Sequence, residues 1–192
     1  MEPIIRIYLD TETTGLDPAV NEVIEVAVVR EEVPYPYTGP GTVTETRCWK
    51  VAPQHIETAS PEALKVNGYT PEAWAGAVPF GDIAEELVGL LKGGTLIGHN
   101  PKFDTGFVTA ELKRAGVEPK ISHRTIDTTT VAFMAWGLDG KLKLSLDSLR
   151  DHLGLSREGA HTALKDALDC REVFYRALAA RNTPPDYSRE DD

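Results

Sequence analysis

Apolar and β-branched residues open the chain. Ile4, Ile5, Ile7, Tyr8 and Leu9 form a short run that stops at a Thr/Gly/Asp/Pro cluster over residues 13–18, the signature of a buried strand ending in a loop. Residues 22–32 predict a second strand whose interior (Val23, Ile24, Glu25, Val26, Ala27, Val28, Val29) is apolar enough to be central. Residues 42–51 predict a third, after a turn-rich segment at 34–41 that carries three prolines and two glycines. Three successive strands with short links imply an antiparallel meander. From Ser60 the period changes to helical pieces. Over residues 81–92, Ile83, Leu87, Leu90 and Leu91 share one face before Gly93-Gly94 stops the helix. Residues 95–98 read as a brief strand. Asn100-Pro101 then supplies a capping residue and a first-turn proline for a helix running to about Gly116. Further helices are expected at 128–136, 145–153 and 163–181, with a short strand around 122–126.

No Gly/Ser-rich linker divides the 192 residues, so one domain is expected over residues 1–181, with the proline-containing, acidic residues 182–192 as a frayed tail. No apolar run is long enough to cross a bilayer, and Met1-Glu2-Pro3-Ile4 lacks the start of a secretory signal, which predicts a cytoplasmic protein with no membrane partner. Cys48 and Cys170 are the only cysteines, too few for a disulfide framework or a thiolate zinc cluster. Any metal site must therefore be built from oxygen and imidazole. The net charge of -10 argues at first against a nucleic-acid partner, since phosphate-binding surfaces are usually basic. The distribution softens that objection: residues 1–99 sum to -9, residues 100–150 to +2 and residues 151–192 to -3. Bound cations would themselves present positive charge to phosphate.

Three segments carry candidate chemistry. In Asp10-Thr11-Glu12, at the end of the first strand, side chains i and i+2 project from one face, so two carboxylates can converge on one cation. Mg²⁺ and Mn²⁺ favour such oxygen ligands. Two solvated acids at a strand end would look the same. Gly15, three residues on, permits a tight turn and close approach of another backbone. The second segment, His99-Asn100-Pro101-Lys102-Phe103-Asp104, lies at a strand-to-helix junction and places a third carboxylate in a first helical turn. Asp104 is there either a ligand or an acid complementing the helix dipole, and Asn100 either a cap or a substrate contact. The third runs from His161 to Asp166. An offset of five residues is ~140° around an ideal helix, so both side chains reach one centre only if His161 precedes or begins the helix, which Gly159 allows.

Taken in order, these segments resemble the DEDD superfamily of exonucleases in its histidine-bearing DEDDh branch, which includes the proofreading subunit of bacterial replicative polymerase. The resemblance spans residues 4–180: Asp10-Thr11-Glu12-Thr13-Thr14-Gly15-Leu16, then His99-Asn100 through Phe103-Asp104, then His161-x-Ala163-x-x-Asp166. It implies a ribonuclease H-like α/β fold, a five-stranded mixed sheet flanked by helices. It also implies a metal-dependent 3′-to-5′ exonuclease with two divalent cations, Mg²⁺ or Mn²⁺. Asp10, Glu12 and Asp166 would hold one ion directly, Asp10 would bridge to the second, and Asp104 would act through water. His161 would be the general base, suited to it because a free imidazole titrates near neutrality. Thr13, Thr14, Leu16, Asn100 and Phe103 would contact the terminal nucleotides.

The implied partner is a single-stranded nucleic-acid 3′ end. DNA is favoured over RNA on the likeness of the first motif to the proofreading group, and RNA 3′-end trimming is the alternative. An inert nucleic-acid-binding or polymerase-accessory module is a second class of reading, which the complete carboxylate and histidine set argues against. The chain ends soon after the third motif, so no polymerase partner is evident and a free-standing enzyme, or one that finds partners by another surface, is expected. Phe133, Trp136 and Phe174 are assigned to packing; Trp49 and Trp74 are left undecided. Lys102, Arg124, Lys141, Lys143 and Arg150 are either contacts to the nucleic-acid backbone or, as scattered basic residues usually are, solvated surface, and they are read as the latter.

Overall fold

The first strand, β1 (Ile4–Thr13), continues in ladder geometry through the acids at its end and lies at the centre of the sheet. The computed structural model describes residues 1–138 and 140–181; the expected tail at 182–192 falls outside the described residues. β2 (Val23–Val33) runs antiparallel to β1, with Tyr8 opposite Val29 and Glu12 opposite Glu25, and β3 (Thr42–Lys50) runs antiparallel to β2. β4 (Thr95–Gly98) and β5 (Thr125–Asp127) add on the other side, parallel to β1 and to each other. The order is β3-β2-β1-β4-β5, a five-stranded mixed sheet with helices on both faces.

Alternation along β1 sends Ile7 and Leu9 to one face and Tyr8 to the other. The Ile7/Leu9 face is covered by α2 (Phe80–Leu90), through Ile83 and Leu87, and by α3 (Pro101–Arg114), through Phe107, Val108 and Leu112. Each such side chain, taken fully out of water, contributes ~1.5 to 3 kcal/mol. The Tyr8 face is covered by α6 (Ala163–Arg181), which presents Ala163 and Ala167 to Tyr8, Ala27 and Ile97. Two alanines four residues apart let the helix backbone lie close on the sheet. That approach carries Asp166, between them, to the end of β1.

The remaining helices are α1 (Pro61–Asn67), α4 (Thr128–Ala132) and α5 (Leu146–Leu153). The helix expected over 128–136 stops at Ala132 and widens into a π turn at Phe133–Gly137. Phe133 there is 45% exposed, which corrects its assignment to packing, whereas Phe174 is buried and Trp136 packs on the α5/α6 cluster. The undecided tryptophans are also packing residues: Trp74 is buried with its Nε1 donating to the Ile24 carbonyl at 2.7 Å, and Trp49 lies against the first core.

Candidate active site

Three elements deliver the acids to one end of the sheet. Asp10 and Glu12 project from β1, and Asp166 comes from α6; one oxygen of each lies within 4.8 Å of the others, a geometry that fits a divalent cation. Asp104, in the first turn of α3, stands outside that trio. Its Oδ1 accepts from the Thr11 backbone N–H at 2.9 Å and from the Thr11 hydroxyl at 2.8 Å, which fastens α3 to β1.

His161 lies two residues before α6 with φ 63°, so it is outside the helix and not one turn along it. Left-handed backbone at a residue with a β-carbon costs ~1 to 2 kcal/mol, and the turn is held by two hydrogen bonds. The His161 N–H donates to Asp166 Oδ1 at 3.1 Å, and the Ala163 N–H, first in α6, donates to Glu25 Oε2 at 2.9 Å. The imidazole is partly exposed, with Nε2 3.7 Å from Asp147 Oδ2. All of these except Glu25 and Ala163 line a cleft of about 430 Å³, together with His99, Asn100, Phe103 and Arg150.

Crowded carboxylates in a protein-walled cleft make the ionised state costly. Burial, then repulsion by Asp104, Asp166 and Glu12, holds the Asp10 carboxyl well above its usual range. Burial, then Asp166 and Glu25, pushes Glu12 up to about 8, and burial pushes Asp104 up to about 7. A divalent cation would relieve this repulsion. Without one, the sign follows from linkage: Glu12 titrates at 4.5 when exposed and at about 8 here, so between those values the folded chain holds protons that the unfolded chain has lost. Stability should therefore fall as pH rises from about 4.5 to about 8, the full loss being present above the upper value. Thermal melts in EDTA across that range are expected to show a declining midpoint, less steep in Glu12→Gln. A midpoint that is flat or rises, with no difference in the variant, would contradict the repulsion.

The other expected contacts divide. Leu16 is 83% exposed, and with Phe103, Thr13, Ala63 and Val66 it lines a second hollow of about 340 Å³ beside Glu12. Thr14 turns inward: it is fully buried, its hydroxyl accepts from the Glu22 N–H, and it does not open onto either hollow. Asn100 occupies the position before α3 in left-handed conformation, φ 65°, without capping the helix through its side chain, contrary to its reading as a cap; its N–H donates to Asp127 Oδ1 at 3.0 Å. At Gly15 the crowding neighbour is the Asn21 side chain, which a β-carbon would overlap, and not another backbone. A larger cavity, about 520 Å³, lies elsewhere, and its acids are already engaged: Glu22 accepts from the Gln54 and His55 N–H groups, Glu111 from Val23 and Arg114.

Two positions in contact with the site escaped the sequence reading. Arg150, read as solvated surface, is fully buried beneath the cleft with its guanidinium on Asp147, Asp166 and Asp169. Glu25 had a visible signal, a lone acid in an otherwise apolar central strand, and it caps α6.

The RNase_T exonuclease family matches residues 7–174. DNA polymerase III subunit epsilon of Treponema pallidum is 29% identical over 178 residues, covering 93% of this chain and 78% of that one. The subunit epsilon of Rickettsia typhi is 33% identical over 189 residues, covering 95% and 78%. Among solved structures, E. coli Exonuclease I in complex with a dT13 oligonucleotide superposes with a TM-score of 0.76 at 18% identity, covering 93% of this chain. This chain spans 41% of that protein's length, and the likeness establishes the ribonuclease H-like fold. The chain belongs to the RNase_T exonuclease family, within the DEDD superfamily to which its ordered motifs pointed, and is a 3′-to-5′ exonuclease.

Proposed function

We propose that the domain over residues 1–181 removes nucleotides from the 3′ end of single-stranded or frayed DNA in the cytoplasm, releasing nucleoside 5′-monophosphates. The observation that carries this reading is the convergence of Asp10, Glu12 and Asp166 within 4.8 Å, with His161 at the rim of the same cleft. The choice of DNA follows the relatives, named as DNA polymerase subunits, and the fold neighbour, described with a deoxythymidine oligonucleotide. No helix among the described residues is long and apolar enough to cross a membrane.

Asp10, Glu12, Asp104 and Asp166 would hold two Mg²⁺ or Mn²⁺ ions. Bound there, the ions supply a nucleophile at neutral pH and charge stabilisation for an in-line displacement. His161 accepts the proton of the attacking water. The new bond joins that water's oxygen to phosphorus, and the bond that breaks is the one from phosphorus to the 3′ oxygen of the preceding nucleotide. The hollow beside Glu12 fits the terminal nucleoside: Leu16 and Phe103 meet the base, Thr13 lies toward the sugar, and Asn100 faces the next phosphate. Thr14 contributes by fixing the loop that carries Leu16.

A time course with 5′-labelled single-stranded DNA and RNA of matched sequence, in Mg²⁺ or EDTA, tests the proposal. A Mg²⁺-dependent ladder shortening from the 3′ end faster on DNA is expected. Faster shortening of RNA would replace DNA by RNA as the substrate, and no shortening of either with any divalent ion would overturn the catalytic reading.

A further inference from the structure

Arg150 lies on α5 with none of its surface exposed, a position a guanidinium occupies only when its charge is matched. Three carboxylates meet it. Nε donates to Asp169 Oδ2 at 2.7 Å, Nη1 to Asp147 Oδ1 at 2.7 Å, and Nη2 to Asp166 Oδ1 at 2.5 Å. Lys165 also reaches Asp169, at 2.5 and 2.6 Å, so Asp169 would keep one cationic partner if Arg150 were lost. Asp166 Oδ1 is the oxygen that also accepts the His161 N–H. Both bonds fall on one atom, which leaves Oδ2 as the oxygen of Asp166 free to serve a cation beside Asp10 and Glu12.

We propose that Arg150 is a positioning residue and a resident counter-charge: it presents Asp166 to the cation through a single oxygen, and its positive charge keeps divalent-ion affinity below what the carboxylates alone would give. This rests on the metal-dependent reading above. Both consequences follow from one placement. A guanidinium on a ligand carboxylate occupies part of its acceptor capacity, and by Coulomb's law it repels a dication held by the same group. A site that binds its ions loosely can release product with them, whereas a carboxylate left to swivel would misplace the attacking water.

A merely structural staple between α5 and α6 predicts the opposite sign, because loosening the site should weaken ion binding. The test is calorimetric titration of Mn²⁺ into the EDTA-cleared full chain, for the native protein, Arg150→Met and Arg150→Lys, with kcat and KM measured beside it. Arg150→Met is expected to bind Mn²⁺ roughly tenfold tighter while kcat falls about tenfold or more with KM little changed. Arg150→Lys, which keeps the charge, should stay within about threefold of native affinity. A folded Arg150→Met that binds Mn²⁺ equally or more weakly overturns the proposal. If that variant does not fold, Arg150→Lys decides: affinity within threefold supports the counter-charge, and a larger loss assigns affinity to geometry alone. A native chain that takes up no Mn²⁺ would instead overturn the metal-dependent reading itself.

Discussion

Asp10→Asn is expected to lower the rate of 3′-end hydrolysis roughly a thousandfold or more, and to make the chain more stable when ions are withheld. Asp10 is one of the acids proposed to hold the ions, and metal stabilisation of the displacement is worth several kcal/mol, with each 1.4 kcal/mol a factor of about ten. The second half follows from the repulsion at the site. Asp10 faces Asp104, Asp166 and Glu12, and its carboxyl is held well above the ordinary range by burial and by those neighbours. An uncharged amide of the same shape removes one of the mutually repelling groups, so the melting midpoint in EDTA at pH 7.5 should rise by a few degrees, ~2 to 4 °C for each kcal/mol recovered. Rate assays and melts on one preparation check both. A variant retaining a tenth or more of native activity would remove Asp10 from the catalytic set. A destabilised variant would mean that Asp10 supports the fold.

His161→Gln should separate chemistry from ion binding. The side chain is partly exposed and its contacts are few, Nε2 lying 3.7 Å from Asp147, so substitution leaves no buried group unpaired. Its backbone N–H remains to donate to Asp166 Oδ1, and the turn before α6 should persist. A general base contributes ~100-fold to 10,000-fold, so kcat should fall by about that factor while Mn²⁺ affinity stays within roughly threefold of native. Loss of Mn²⁺ binding in parallel with rate would make His161 a ligand and not a base. An unchanged kcat would leave proton transfer to bulk water.

Much of the site was legible because its residues obey local rules. The i, i+2 spacing of Asp10 and Glu12 places both on one side of any strand, and Ala163–Arg181 reads as helix from its first residue to its last. The requirement that His161 precede that helix is elementary geometry, and its φ of 63° satisfies it. Elements with a weak or broken period were less legible. β5 has only three residues and lies a little beyond the expected segment, and the helix at 128–136 divides into α4 and a π turn. Local sequence carries little information where a segment's conformation is decided by what packs on it.

The amino-acid sequence by itself determined the elements, the alternation that buries both faces of β1, and the identity of the acids and histidine, since each depends on residue type and near spacing. Only the tertiary structure decided which charges meet. Arg150 and Asp169 are 19 residues apart and lie on separate helices, and nothing local distinguishes an arginine at the surface from one bonded to three carboxylates. Glu25 meets the first N–H of α6 across 138 residues, and Thr14 turns inward because Glu22 lies across the loop from it. A polar group's cost depends on its partners, and its partners are set by how the helices close on the sheet.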